Sequence, residues 1–232
     1  MDNQLEMVAK SYDQSIDLGR KGIDSYEKFP PYITDHPYFP LFQEMESNET
    51  LSDSGRKEIA EYLAPKAGMK FIDLGCCLNF MFRGYKDWPS TYYGVDISSK
   101  TIELLHEFTE KNKLTVGDLY CGSMHATPYD TDFFDIGECI GSLEYFEQDF
   151  VQQAVAEFHR IIKPNGKFVL DIPNVGSPEA DIAKRIEEYL GRPDKFNLSA
   201  EEFETRLNAY FVIDKKEIVG PMIEYFLVCK KK

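Results

Sequence analysis

The feature that most constrains the fold is a regular alternation of short apolar segments with amphipathic helical segments through the middle of the chain. The apolar segments are bounded by turn residues, as buried parallel strands are, and read MKFIDLG, TYYGVDI, LTVGDLY, FFDIGECI and GKFVLDIP. Helical segments start at Lys100 (KTIELLHEFTEK) and Asp149 (DFVQQAVAEFHRII), and the second has an apolar stripe at three-and-four spacing. This alternation predicts an α/β fold, a Rossmann-like parallel sheet flanked by helices.

The C-terminal part of the chain breaks the alternation. Two further helices are predicted, over residues 178–191 and from Ser199 (SAEEFETRL), followed by two strands joined by a turn near Gly220 and Pro221. Consecutive strands predict an antiparallel hairpin at the C-terminal edge of the sheet.

At 232 residues, the chain is long enough for one α/β domain with a full core. Residues 1–50 contain Pro30, Pro31, Pro37 and Pro40, which rule out one continuous helix there, and we expect an N-terminal lid or cap segment. Residues 51–232 then form the domain itself, with a substrate-cap insertion at about 174–205. Ser52 or Asp53 is expected to cap a helix that ends at Leu63.

Charge and cysteine content exclude several classes of partner. The formal net charge of −14 repels nucleic acid phosphates and anionic membrane surfaces, so we expect neither as a partner. Five cysteines with no CxxC pair suggest neither a disulfide framework nor a metal site, and they fit a reducing cytoplasm. No signal peptide or apolar span of roughly 20 residues is apparent. We expect a cytoplasmic protein, either a monomer or a homodimer.

The first strand-to-helix loop, DLGCCLN from Asp73 to Asn79, lies where open α/β sheets bind ligands. Gly75 allows a tight turn, whereas Cys77 and Asn79 stand where a G-x-G-x-G loop would have glycine. Alone, this loop is equally typical of a tight turn without a ligand. Asp96, 23 positions after Asp73 at the end of the next strand, is placed to accept hydrogen bonds from ribose hydroxyls, or to cap the following helix.

Together, the loop and Asp96 favour an adenosine-type ligand. A nicotinamide dehydrogenase would need G-x-G-x-x-G to receive a pyrophosphate, and GCCLNF has only the first of these glycines.

Several segments between about Ile59 and Pro173 resemble class I S-adenosylmethionine-dependent methyltransferases, particularly the small-molecule branch. FIDLGCCLN resembles the first motif of that family and YYGVDIS the second. CGSMHATPYDTDFFDIGECIGSLEYF resembles the stretch that reaches adenine and then ends under the methionine moiety. FHRIIKPNGKFVL resembles the R-x-L-K-P-G-G turn into the fifth strand. The resemblance implies S-adenosylmethionine as the cofactor and S-adenosylhomocysteine as its product.

The resemblance also implies cofactor contacts. Asp73 and Gly75 would meet the methionine amine, with Cys77 and Asn79 completing the loop, and Asp96 would hold the ribose. The remaining contacts concern adenine and the methionine moiety, and they involve Ile97, Ser123 and Met124 at adenine, Cys139 and Ile140 beside the amine and methyl groups, and Tyr12 over the methionine tail. Ser123 stands where many relatives have an aspartate.

Methyl transfer needs an in-line geometry, exclusion of water and sometimes a base for the acceptor proton. Tyr145 stands where many relatives have histidine, so it is either a base or an aromatic wall of the acceptor pocket. His125 is either a base or a surface loop residue.

We therefore expect methyl transfer to an O, N or S atom of a small-molecule acceptor. The aromatic content of the lead-in favours an apolar, aromatic or cationic acceptor. One alternative is a catalytically degenerate module on the same fold that binds a cofactor or a partner. Another is aminopropyl transfer, which ranks last because Asp130, Asp132 and Glu144 form no evident acidic pair in the sequence.

Overall fold

A seven-stranded sheet organises the protein. The structure, a computed structural model, describes residues 3–47 and 56–231. The strands are β1 (Lys70–Leu74), β2 (Thr91–Asp96), β3 (Asp118–Cys121), β4 (Phe134–Cys139), β5 (Ile162–Pro173), β6 (Phe211–Val219) and β7 (Met222–Cys229). Their order is β3-β2-β1-β4-β5-β7-β6, and β7 runs antiparallel to both of its neighbours while the other pairs are parallel. This confirms the predicted α/β fold with a C-terminal antiparallel hairpin.

The central strands are buried because helices cover both faces of the sheet. Phe71, Ile72 and Leu74 of β1 are fully buried, and they divide between two core clusters on opposite faces. The strand order reverses between β1 and β4, which places the loops after these strands side by side at the carboxyl edge of the sheet. Ligands of open α/β sheets bind at such a switch point.

The helices are α1 (Asn3–Arg20), α2 (Pro31–Thr34), α3 (Phe39–Ser47), α4 (Lys57–Leu63), α5 (Asn79–Phe82), α6 (Ser99–Asn112), α7 (Gln148–Ile161), α8 (Pro178–Tyr189) and α9 (Ala200–Leu207). Short 3-10 helices span Tyr85–Asp87 and Leu143–Tyr145. Ser98, Ser177 and Ser199 each accept a hydrogen bond from a backbone N–H of the first helical turn, which fixes where α6, α8 and α9 begin.

Two details differ from the sequence-based expectations. β3 begins at Asp118 rather than Leu114, because α6 ends in a left-handed Lys113 and Leu114 N still donates to Thr109 O. The expected capping residues of α4, Ser52 and Asp53, lie outside the described residues, as does the expected domain boundary at residues 50 and 51.

The N-terminal segment and α8 pack over the carboxyl edge of the sheet. The carboxylate of Asp13 on α1 accepts hydrogen bonds from Ser98 Oγ (2.7 Å) and Lys100 N (3.2 Å), which docks α1 on the start of α6. Ile33 and Phe42 of the lead-in form a separate apolar cluster with α8. Within residues 3–47 and 56–231, no helix combines the length and apolar character that crossing a membrane requires.

Candidate active site

A cavity of about 940 Å³ lies at the carboxyl ends of β1, β2, β4 and β5. Its floor is the loops that follow these strands, and its walls come from α1, from the segment after α1 and from α8. The position at the switch point of the sheet is where an α/β fold binds its ligand.

The loop after β1 takes a tight path along this floor. Gly75 has a φ of +72°, and a Cβ there would lie 2.1 Å from Ser142 Oγ, so only glycine fits without a shift. Cys77 keeps a left-handed φ of +39° although it is not glycine, which costs about 1–2 kcal/mol. Cys77 N donates to Asp96 Oδ2 (2.8 Å), so the loop and the end of β2 are joined directly.

Asp96 lines the cavity and is only 7% exposed. Its Oδ1 accepts a hydrogen bond from Ser98 N (2.8 Å). Burial raises the pKa of Asp96 to about 6, although hydrogen bonds from the Ser98 and Cys77 backbone act in the opposite direction. The side chain that caps α6 is that of Ser98, which accepts from Thr101 N (3.0 Å), so the Asp96 carboxylate is not the cap of this helix.

The side of the cavity next to Asp96 is formed by residues that the sequence assigned to the cofactor. Ile97, Ser123, Met124 and Ile140 all line it, and Asn79 lines it beside the loop after β1. The structure therefore brings these residues together at one end of the cavity. Their individual contacts with a cofactor remain predictions.

Three expected site residues are placed outside the cavity lining. Asp73 is fully buried, and its oxygens accept from Tyr92 OH (2.8 Å) and Asn79 Nδ2 (3.4 Å), so it supports the loop, and its expected contact with the methionine amine stays a prediction. Cys139 is fully buried with its Sγ 3.6 Å from Met124 Sδ, and its expected place beside the methyl group stays a prediction. His125 lies outside the lining and shares a hydrogen bond with Ser123 Oγ (2.6 Å), which does not favour a role as base.

A hydrogen-bonded network covers the cavity on the side of α1 and α8. Tyr145 OH donates to Glu187 Oε2 (3.1 Å), Tyr26 OH donates to Glu187 Oε1 (2.8 Å), and Arg192 Nε donates to Glu187 Oε2 (2.7 Å). Tyr12 OH lies 3.1 Å from Tyr145 OH, and the Arg192 guanidinium lies 4.5 Å from the centre of the Tyr12 ring. Glu187 and Arg192 had no signal in the sequence, because the tyrosines that they contact come from distant segments.

The environment of Tyr145 bears on its two predicted roles. Burial and the nearby Glu187 carboxylate raise the pKa of Tyr145 well above its usual value. The phenol therefore stays protonated at neutral pH and donates to Glu187. Tyr145 forms part of the cavity wall, and its roles as a base or as an aromatic wall of an acceptor pocket stay predictions.

Two acidic residues that the sequence analysis did not connect also line the cavity. Asp171 stands near the end of β5, and Glu144 lies in the short 3-10 helix after β4. The neighbouring strand ends bring them to the same side of the cavity.

Comparisons with known proteins agree with this geometry. Residues 72–170 match the family described as a methyltransferase domain. No curated protein sequence is significantly similar to the chain.

Among solved structures, geranyl diphosphate C-methyltransferase from Streptomyces coelicolor A3(2), in complex with Mg²⁺, geranyl diphosphate and S-adenosyl-L-homocysteine, is 12% identical, with 100% of this chain and 99% of that chain covered and a TM-score of 0.68. The PH0226 protein from Pyrococcus horikoshii OT3 is 23% identical, with 88% and 100% covered and a TM-score of 0.62. A complex between the Haloferax volcanii Trm112 methyltransferase activator and its methyltransferase gives 15% identity, 95% and 98% coverage and a TM-score of 0.67. At these identities the likeness concerns the fold.

Proposed function

Because the chain carries a class I S-adenosylmethionine-dependent methyltransferase domain with S-adenosylmethionine as its cofactor, we propose that it methylates an O, N or S atom of a small-molecule acceptor bound in the described cavity. The observation that carries this proposal is the continuity of the cavity, which extends from Asp96 to the wall formed by α8. Its volume of about 940 Å³ is at the upper end of single ligand pockets, which supports joint binding of a cofactor and an acceptor.

The residues present fit the cofactor. Cys77 retains the left-handed backbone that glycine usually provides, and Gly75 leaves space that a Cβ would fill. Asp96 can hold the ribose hydroxyls, with Ile97 and Met124 beside the adenine. When bound, S-adenosylmethionine supplies an electrophilic methyl group on a sulfonium centre.

The remaining side chains position the acceptor and exclude water. Tyr12, Tyr145 and Arg192 are held by hydrogen bonds and ring contacts, so the wall they form is rigid and needs little reorganisation. Phe42 and Ile186 add apolar surface on the same side. This arrangement supports orientation of a small acceptor rather than acid–base chemistry by Tyr145.

A small acceptor also agrees with the charge of the chain and with the covered site. The net charge of −14 disfavours nucleic acid as the acceptor, and α1 and α8 form walls of the cavity. The Streptomyces neighbour was solved with geranyl diphosphate, which is itself a small molecule.

Isothermal titration calorimetry with S-adenosylmethionine and S-adenosylhomocysteine tests the proposal. The wild-type protein and the control Asp130→Ala, an exposed loop position away from the cavity, should bind S-adenosylhomocysteine equally well. Asp96→Ala should bind it at least about tenfold more weakly, because hydrogen bonds to a carboxylate contribute about 1.5–3 kcal/mol each. Absence of binding of either compound by the wild type would refute the proposal.

A screen of small acceptors, followed by release of S-adenosylhomocysteine, separates catalysis from cofactor binding alone. Turnover with at least one acceptor, lost in Asp96→Ala, is the expected result. Tight cofactor binding without turnover of any acceptor would favour the degenerate module instead.

A further inference from the structure

Two carboxylates meet at the cavity on the side away from Asp96. Asp171 is near the end of β5, and Glu144 follows β4 in the Leu143–Tyr145 helix. Both line the cavity, and Asp171 is only 2% exposed. Because β5 is three strands from β2 in the sheet, Asp171 lies about 14 Å across the sheet from the β2 end.

Both carboxylates have hydrogen-bonding capacity that the protein leaves unused. Asp171 Oδ1 accepts a hydrogen bond from Gly141 N (2.8 Å), and the backbone N–H of Asp171 itself also stabilises the carboxylate. Glu144 Oε2 is buried, and among residues 3–47 and 56–231 it has no hydrogen-bond partner. A buried acceptor without a donor costs about 1–3 kcal/mol, and more when it is charged.

The neighbouring arginine side chains form ion pairs with other acidic residues. Arg56 binds Glu224 (2.7 Å) and Glu58 (2.5 Å), and Arg192 binds Glu187 (2.7 Å). Among the described residues, no lysine or arginine forms an ion pair with Glu144 or Asp171. The charges of Arg56 and Arg83 also act on Asp171, but each arginine is paired with another acid, Arg56 with Glu224 and Arg83 with Glu138 (3.8 Å).

The pKa values of both carboxyl groups reflect their burial. Burial, and next the Asp171 charge, raises the pKa of Glu144 well above its usual value, and burial raises the pKa of Asp171. A cation bound between the two would lower both pKa values and offset the cost of burial.

We propose that Glu144 and Asp171 form a binding site for the ammonium group of a ligand in the cavity, an inference that rests on the proposed function. An ammonium carries three donors and no acceptor, which matches the acceptor-only chemistry of two carboxylates. Two ligands could supply this group: the amino acid tail of the cofactor and an amine acceptor. In both cases the same pair of side chains neutralises the charge.

Glu144→Gln and Asp171→Asn remove the charge and preserve the shape of each side chain. Glu188→Gln is the matched control, because it makes the same change at an exposed position of α8 outside the cavity. Thermal unfolding of each variant shows whether it is folded. We expect both test variants to fold, because burial disfavours the charged form of each carboxyl group and the amide oxygen that replaces it can still accept.

Calorimetry with two adenosine thioethers identifies the source of the ammonium. S-adenosylhomocysteine carries the amino acid tail, and 5′-methylthioadenosine lacks it. If the site holds the cofactor amine, both test variants should bind S-adenosylhomocysteine roughly 10- to 100-fold more weakly, while 5′-methylthioadenosine affinity stays unchanged.

If the site holds the acceptor, both thioethers should bind the variants as they bind wild type. Putrescine, spermidine or phenethylamine should then bind wild type saturated with S-adenosylhomocysteine, and should bind both test variants about tenfold or more weakly. Variants that bind both thioethers and all three amines as wild type and Glu188→Gln do would overturn the proposal. Failure of wild type to bind S-adenosylhomocysteine would instead refute the proposed function.

Discussion

Replacing Gly75 with alanine tests the claim that the loop after β1 is shaped by close contact with the loop after β4. An alanine Cβ would lie 2.1 Å from Ser142 Oγ and 2.8 Å from Ser142 Cβ, both far inside normal contact distance. The backbone also has a φ of +72°, which an L-residue adopts only at a cost. Two separate penalties therefore act at this one position.

Gly84 separates these penalties, because it has nearly the same φ of +75° but no heavy atom within 4 Å of an added Cβ. Gly84→Ala should lower the free energy of unfolding only by the conformational cost of a left-handed alanine, about 1–2 kcal/mol. Gly75→Ala should lower the free energy of unfolding by about 1–3 kcal/mol more, which is the usual cost of forcing an extra methyl group into packed surroundings. Urea unfolding followed by circular dichroism measures both free energies of unfolding.

A third variant tests the identity of the contact. In a Ser142→Gly background, Gly75→Ala should cost no more than Gly84→Ala does in wild type, because the clashing atoms are gone. Equal destabilisation by Gly75→Ala and Gly84→Ala in wild type would refute the close approach of the two loops. An undiminished cost in the Ser142→Gly background would refute Ser142 as its cause.

Three further predictions concern charged and hydrogen-bonded groups of the cavity. The pKa of Asp96 is about 6 in the folded protein and lower in the unfolded chain, so the folded state binds the proton more tightly. The free energy of unfolding of wild type should therefore rise by up to about 3 kcal/mol relative to that of Asp96→Asn as the pH falls from 7 to 4. Urea unfolding at each pH measures this difference. Arg192→Ala should destabilise the protein by about 3–5 kcal/mol, since it leaves Glu187 without its buried partner. The exposed control Arg185→Ala should cost less than about 1 kcal/mol in the same assay, and equal effects would contradict the argument. Tyr145→Phe should cost about 1 kcal/mol and leave S-adenosylhomocysteine affinity within a few-fold of wild type in calorimetry, whereas complete loss of binding would show a direct cofactor contact.

The sequence determined the sheet, the order of its main helices and one end of the cavity. Strand and helix periodicities are local properties, so they identify β1, β2, β4 and β5 without knowledge of contacts. The carboxyl ends of parallel strands lie at one edge, and spacing alone therefore places Gly75 near Asp96. The left-handed backbone at Cys77 shows that a glycine-type loop survives the loss of its second glycine.

Only the tertiary structure decided which polar groups face the cavity and which form hydrogen bonds with neighbouring residues instead. Asp73 follows the same strand pattern as Asp96, yet Tyr92 and Asn79 take up its oxygens inside the core. Glu144 and Asp171 look scattered in the sequence, and adjacent strand ends bring them to one wall.

The network around Glu187 draws on α1, the segment after it, the loop after β4 and the end of α8, which are far apart in the chain. Its hydrogen bonds depend on how those elements pack, and packing is a long-range property that residue spacing does not encode. The sequence therefore determined the fold and the loops after β1 and β2, and the tertiary structure determined the hydrogen-bonded wall that α1 and α8 add to the cavity.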